Sequence, residues 1–134
     1  MSSAVLDASA AVELLLRTPA GRQASAALRG HEIAAPAHFD AEVLSALGRL
    51  ARGGDLAEPL VEPALIALAR APITRYPLQP LLPAAWRLRH NLALRDALYV
   101  TLARQLGAVL VTADGRLARA PVGALGVEVI LVTR

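Results

Sequence analysis

Short aliphatic runs alternate along the chain with longer segments in which apolar residues recur at helical spacing. The short runs predict strands that are buried on both faces, over residues 4–6, 32–35, 73–76, 108–111 and 127–132. The longer segments predict helices over residues 10–17, 19–30, 36–52, 55–71, 81–90 and 95–106, with a short helix after residue 112. Alternating strands and helices are typical of βαβ units. We therefore expect an α/β fold with a small, four- to five-stranded parallel sheet flanked by helices.

Residues with capping chemistry predict where these helices begin. The signals are Ser9, Thr18 followed by Pro19, Pro36, Asp55 and Thr112, each at the first turn of a predicted helix. Glycines that follow two of the helices, Gly53–Gly54 and Gly107, predict where those helices end.

The length and composition restrict the class of protein. The chain has 134 residues, which fits one domain over residues 1–134 with a core large enough to need no cross-links. It contains no cysteine, which excludes disulfides and thiolate zinc sites. No apolar run is long enough to cross a bilayer, and the first residues lack the pattern of a signal peptide. We expect a cytoplasmic protein with no membrane partner.

The basic residues are all of one type. The chain has 14 arginines and no lysine, with a formal net charge of +3 and a pI near 10.5. Codon bias is the simplest reason for the missing lysines. The basic excess is compatible with a polyanionic partner.

Two acidic residues follow predicted strands. Asp7 ends the first strand, and Asp114 follows the strand over residues 108–111. A hydroxyl residue lies near each acid, namely Ser9 and Thr112. A single aspartate in this position usually caps a helix. Because the carboxyl ends of parallel strands meet at one edge of the sheet, where ligands bind, the pair favours a functional site.

Two further acids begin predicted helices. Asp96 heads a stripe of mostly apolar residues, so we expect it to be partly buried, which requires a partner, a metal or the helix N-terminus. Glu42 and Asp40 lie on opposite flanks of the apolar face that contains Phe39 and Val43. The helical pattern does not decide between them.

Four carboxylates without cysteine suit a hard cation such as Mg²⁺ or Mn²⁺. A cation held in this way can orient a water molecule and neutralise charge on a phosphodiester. Setting these four aside leaves seven acids against 14 arginines, so the acidic pocket would lie in a basic surface suited to nucleic-acid phosphates. The arginines nearest to the motifs are Arg49, Arg52, Arg87, Arg89, Arg95 and Arg116.

Four segments in this order carry a resemblance to a known family: VLDASAAVELL, AEVLSALGRL, RDALYVTLA and LVTADGRLA. The sequence resembles the PIN-domain ribonucleases and, within them, the VapC-type toxins of bacterial type II toxin–antitoxin pairs. The resemblance implies a PIN-like fold and an acidic site around Mg²⁺, or Mn²⁺ in its place, and it favours Glu42 over Asp40. The implied acids are Asp7, Glu42, Asp96 and Asp114. Ser9 and Thr112 match the family's hydroxyl positions, with supporting roles.

The resemblance also implies an activity and partners. The activity is endonucleolytic cleavage of RNA by metal-activated water, which leaves 5′-phosphate and 3′-hydroxyl ends. The implied partners are the RNA substrate, a second copy of the chain in a homodimer, and a VapB-type antitoxin that wraps the toxin and blocks its site. Residues 55–82 carry no motif of the family.

Four alternatives follow from the same residues. Receiver domains and haloacid-dehalogenase-type phosphatases need a lysine, which this chain lacks. A metal-independent ribonuclease would use His31, His38 or His90 and leave a cyclic phosphate, but these histidines share no predicted sheet edge. A PIN-like binding module would hold RNA or a protein without cleaving it.

Overall fold

A computed structural model describes residues 2–121 and 126–134. Its centre is a five-stranded parallel sheet with the strand order β3-β2-β1-β4-β5. The strands are β1 (Ser3–Leu6), β2 (Glu32–Pro36), β3 (Ile73–Tyr76), β4 (Val109–Thr112) and β5 (Val129–Leu131). The predicted α/β fold with a small parallel sheet is confirmed, at the larger of the two expected strand numbers.

Helices cover both faces of this sheet. As a result, the consecutive residues Ala4, Val5 and Leu6 of β1, whose side chains point to alternate faces, are all buried. The helices are α1 (Ala8–Leu15), α2 (Pro19–Leu28), α3 (Phe39–Arg52), α4 (Val61–Arg70), α5 (Leu82–Arg87), α6 (Leu94–Leu106) and α7 (Gly115–Arg119). Helix α6 packs on β1, β2 and β4, whereas α1 packs on α2 and α3. In the described part of the chain, no helix combines the length and apolar character needed to cross a membrane.

The second helix begins where it was predicted to begin, and the sixth helix ends where it was predicted to end. Thr18 is the N-cap of α2, and its hydroxyl accepts a hydrogen bond from the backbone N–H of Gly21. A side chain at Gly21 would collide with the carbonyl oxygen of Glu13, so glycine allows α1 and α2 to pack closely. Gly107 ends α6 in the left-handed conformation that glycine adopts easily.

The predicted starts at Pro36 and Asp55 are wrong. Pro36 is the last residue of β2, because the pairing with β3 continues to Tyr76 and carries the strand past the proline. Helix α3 therefore begins at Phe39. Asp55 lies in a turn, and a short 3₁₀ helix over Glu58–Leu60 separates it from α4. Another 3₁₀ turn, Gln79–Leu81, precedes α5, which is shorter than predicted.

The predicted caps Ser9 and Thr112 are also wrong. Ser9 lies inside α1, whose N-cap is Asp7, and Thr112 is the last residue of β4. Asp114 caps α7, and its carboxylate accepts a hydrogen bond from the backbone N–H of Arg116. In both cases the hydroxyl makes tertiary contacts instead of capping the next helix.

Candidate active site

The four predicted acids line one cavity of about 430 Å³. Each comes from a different element: Asp7 follows β1, Glu42 and Asp96 lie in the first turns of α3 and α6, and Asp114 caps α7. The lining also includes Ser9, His38, Ser45, Arg49 and Arg95. The fold thus brings together side chains that are up to 107 positions apart in the sequence.

Asp7 is held by the two predicted hydroxyl residues. The backbone N–H of Asp7 donates to the carbonyl oxygen of Val111 at 2.9 Å, which places Asp7 beside the end of β4. Its Oδ2 accepts hydrogen bonds from Ser9 Oγ at 2.5 Å and from Thr112 Oγ1 at 2.7 Å. Each hydroxyl oxygen in turn accepts a backbone N–H from the β4–α7 turn. The hydroxyls therefore join the two strand ends and orient the Asp7 carboxylate.

Burial and neighbouring negative charge act on two of the acids. Asp7 is only 6% exposed, and desolvation raises its pKa, with further contributions from Glu42 and Asp114. The hydrogen bonds from Ser9 and Thr112 oppose this rise. Asp96 is partly buried, as its stripe predicts, and desolvation together with the charges of Asp7 and Asp114 raises its pKa. The cavity concentrates negative charge that a cation would relieve.

The structure separates Glu42 from Asp40, which the helical pattern left undecided. Glu42 lines the cavity, whereas Asp40 lies on the other flank of α3. There Asp40 forms a two-point ion pair with Arg75, with N···O distances of 3.1 and 2.9 Å. Arg75 also donates to the carbonyl oxygen of Leu68, so it connects β3 to α3 and α4. Asp40 therefore has a structural partner outside the cavity.

Two residues at this site were missed by sequence reasoning. Tyr99, assigned to the apolar stripe of α6, donates its hydroxyl hydrogen to Glu42 Oε1 at 2.6 Å. His38 lines the cavity, and its Nε2 lies 3.0 Å from the carbonyl oxygen of Arg95 and 3.5 Å from Glu42 Oε1. The sequence signals were the four-residue spacing of His38 and Glu42 and the three-residue spacing of Asp96 and Tyr99, both of which place side chains on one helix face.

One of the three histidines, His38, therefore lies at this edge of the sheet. His31 instead contacts Ser2 at the beginning of β1, at the other edge of the sheet. Among the described residues, His38 is the single histidine that lines the cavity. A ribonuclease mechanism that uses one histidine as the base and another as the acid would therefore lack its second histidine among the described residues of this cavity.

The carboxylates suit Mg²⁺ or Mn²⁺ by donor type and by charge. In residues 2–121 and 126–134, no group of three or more Asp, Glu or His side chains is already arranged to hold a metal ion. Mg²⁺ does not require such a group, because it is usually bound by one or two carboxylates and retains several waters. Desolvation by burial, and after it the charge of neighbouring carboxylates, raises the pKa values of Asp7 and Asp96. A bound cation would favour the charged form of both groups. The site therefore fits a hydrated divalent cation.

Comparisons with known proteins show the family and the fold of the chain. A model of the PIN domain matches residues 4–123. "Ribonuclease VapC3" of Mycobacterium tuberculosis is 54% identical over 117 residues, covering 87% of this chain and 85% of the relative. "Ribonuclease VapC12" of the same organism is 43% identical over 115 residues, covering 86% and 89%. A solved chain from a "Toxin-antitoxin complex from Klebsiella pneumoniae" superposes with a TM-score of 0.67 at 19% identity, covering 96% of each chain, which shows a shared fold.

Proposed function

The chain belongs to the PIN-domain family and is a VapC-type member of it, and from this premise we propose that it is the toxin of a type II toxin–antitoxin pair. Its activity would be divalent-metal-dependent endonucleolytic cleavage of RNA in the cytoplasm. The ribonuclease names of the relatives that are 54% and 43% identical support RNA as the substrate.

One observation carries the proposal: four carboxylates from four elements line a single cavity at the carboxyl edge of the parallel sheet. This edge is where open α/β sheets bind ligands. The proposed catalytic and metal-binding residues are Asp7, Glu42, Asp96 and Asp114, with Ser9 and Thr112 in supporting roles.

Mg²⁺, or Mn²⁺ in its place, would supply positive charge against the phosphodiester oxygens and make a water molecule more acidic. The four carboxylates would hold the cation, and Ser9 and Thr112 would keep Asp7 oriented through its Oδ2. Arg49 and Arg95 line the same cavity, and their guanidinium groups suit the phosphates on either side of the cut.

In the proposed reaction, water adds to phosphorus and the bond from phosphorus to the 3′ oxygen breaks. A carboxylate of the set accepts the proton of the attacking water, and the leaving 3′ oxygen takes up a proton from the solvent. The products are a 5′-phosphate and a 3′-hydroxyl.

We also propose a VapB-type antitoxin and a homodimer as the assembly. The Klebsiella structure with the shared fold is titled a toxin–antitoxin complex, which supports the antitoxin. Large apolar side chains are exposed on several helices and on β5, namely Leu44, Leu60, Ile66, Leu82, Trp86, Leu94 and Leu131. Surfaces of this kind suit protein partners. Light scattering of the purified chain tests the dimer.

A matched pair of variants on α3 tests the nuclease. Glu42→Gln changes an acid of the cavity, and Asp40→Asn changes the acid two positions earlier that pairs with Arg75. Total RNA is incubated with antitoxin-free protein and Mg²⁺ or Mn²⁺, and the product ends are mapped. We expect Glu42→Gln to lose about 100-fold or more in cleavage, Asp40→Asn to cleave like the unmodified chain, and EDTA to stop both.

Other outcomes would reject specific parts of this proposal. Cleavage that survives EDTA, or products with a cyclic phosphate, would contradict the metal-dependent mechanism. A folded protein that binds RNA in the presence of the ion but does not cut it would favour the binding module.

A further inference from the structure

Tyr99 has its only polar side-chain atom at the edge of the candidate site, although the residue is fully buried. Its hydroxyl donates to Glu42 Oε1 at 2.6 Å. A phenol keeps its proton at neutral pH, so the hydroxyl remains a donor. The phenol thus contacts the first turn of α3 from inside the core.

His38 braces this contact from the other side. Its ring packs against the Tyr99 ring with a centroid distance of 4.9 Å and a tilt of 52°. Because a carbonyl oxygen only accepts hydrogen bonds, His38 Nε2 donates to Arg95, the residue before Asp96. His38 Nδ1 is buried and has no hydrogen-bond partner within the described residues. The ring is therefore placed by packing and by a single hydrogen bond, which joins the first turns of α3 and α6.

Glu42 needs such a constraint because it has a flexible side chain and lies among like charges. Its three side-chain torsions would let it turn away from the other carboxylates of the cavity. The guanidinium of Arg95 lies 3.9 Å from Oε2 and belongs to a side chain that is 66% exposed, so this ion pair constrains Glu42 only weakly. The Tyr99 hydroxyl occupies Oε1 from inside the core and leaves Oε2 for a ligand.

We propose that Tyr99, braced by His38, is a positioning residue that fixes Glu42 in the cavity for divalent-cation binding. This proposal rests on the proposed function, since it assumes that the four acids hold a cation. It assigns a role in the site to an aromatic pair between α3 and α6, in which Tyr99 is buried and His38 is partly exposed.

Tyr99→Phe tests the proposal, because it keeps the ring and removes the hydroxyl. Mn²⁺ binding to the RNA-free protein is followed by the electron paramagnetic resonance signal of free Mn²⁺. We expect affinity to fall about 10-fold, the scale of one hydrogen bond to a charged group. Tyr76→Phe is the matched control. Tyr76 ends β3 and, within the described residues, does not line the cavity. This variant should bind Mn²⁺ with the affinity of the unmodified chain.

A double-mutant cycle with Glu42→Gln separates positioning from a general effect on the fold. If Tyr99 acts through Glu42, Tyr99→Phe should have little further effect on Mn²⁺ affinity in the Glu42→Gln background. An equal loss in both backgrounds, or unchanged affinity in the folded single variant, would overturn the proposal. If Tyr99→Phe does not fold, His38→Leu takes its place in the same cycle with the same criterion.

RNA cleavage is measured separately on the same proteins. Metal-dependent cleavage by the unmodified chain with an unaltered Mn²⁺ affinity in Tyr99→Phe would reject only the positioning role. Absence of metal-dependent cleavage in the unmodified chain would reject the proposed function itself.

Discussion

Thr112→Val removes one buried hydroxyl and leaves the shape of the side chain almost unchanged. Thr112 is fully buried at the end of β4. Its hydroxyl donates to Asp7 Oδ2 at 2.7 Å and accepts the backbone N–H of Asp114 at 3.0 Å. The substitution therefore takes a donor from a buried carboxylate and an acceptor from the turn that carries another acid of the site.

The expected loss of stability follows from these two contacts. A hydrogen bond to a charged group contributes about 1.5–3 kcal/mol, and one to a neutral donor about 0.5–1.5 kcal/mol. Ser9 remains bonded to Asp7 in the variant, so the sum of these two contributions is an upper bound on the loss. We expect the free energy of unfolding to fall by about 2–4 kcal/mol at pH 7. For a chain of this size that corresponds to a fall in Tm of about 7–14 °C.

Thr101→Val provides the matched control. Thr101 is also buried, but its hydroxyl has no hydrogen-bond partner within the described residues. Removing that hydroxyl should leave stability unchanged or raise it by up to about 1 kcal/mol. Both variants are compared by thermal and urea unfolding. A Thr112→Val protein as stable as Thr101→Val would refute the reasoning that the Thr112 hydroxyl holds Asp7.

Two further predictions concern the charge in the cavity. The folded-state pKa of Asp7 is raised above 3.8, so its contribution to stability is full below that pH and is lost as the pH rises through the folded-state pKa. Asp7→Asn should therefore unfold at a higher temperature than the unmodified chain and should lose RNA cleavage. The gain in the free energy of unfolding should grow from pH 4 to pH 7 and reach about 1 kcal/mol. A gain that shrinks over this range would contradict a raised pKa for Asp7. Mg²⁺ at about 100 times its Kd should stabilise the unmodified chain by about 2.7 kcal/mol, with little effect on Asp7→Asn, as measured by calorimetry against NaCl of equal ionic strength.

The strands and the acids were predictable from the sequence for different reasons. Each strand is a short aliphatic run buried on both faces, a pattern that depends only on local residues. The cavity acids Asp7 and Asp114 follow from the rule that parallel strands end at a common edge. The choice of Glu42 required the family resemblance, since both flanks of α3 carry an acid. The structure accounts for the other acid, because Asp40 pairs with Arg75 of β3.

The failures occurred where a side chain's partner lies far away in the chain. Ser9 and Thr112 have residue types typical of N-caps, but their hydroxyls make distant contacts: Thr112 binds Asp7 across the β1–β4 pair, and Ser9 accepts the backbone N–H of Ala113. Tyr99 fits an apolar stripe, and nothing local indicates that its hydroxyl reaches Glu42 on another helix. The same holds for His38, whose site contacts depend on how α3 and α6 approach one another. Contacts of this kind follow from the packing of elements and not from their periodicity.

The acids inside and outside the cavity differ in how they are held. Neutral donors fix three of the cavity acids: hydroxyls hold Asp7, a phenol holds Glu42, and a backbone N–H holds Asp114. The arginines near Glu42 and Asp114 are exposed and lie 3.9 and 3.7 Å away, whereas the outlying Asp40 has a close two-point pair with Arg75. A neutral donor fixes the direction of a carboxylate and leaves its charge in place, whereas a bound guanidinium would cancel that charge. The cavity thus keeps its negative charge, and the carboxylates stay oriented, although buried charge destabilises the protein without a ligand. Oriented, charged carboxylates are what a divalent cation requires.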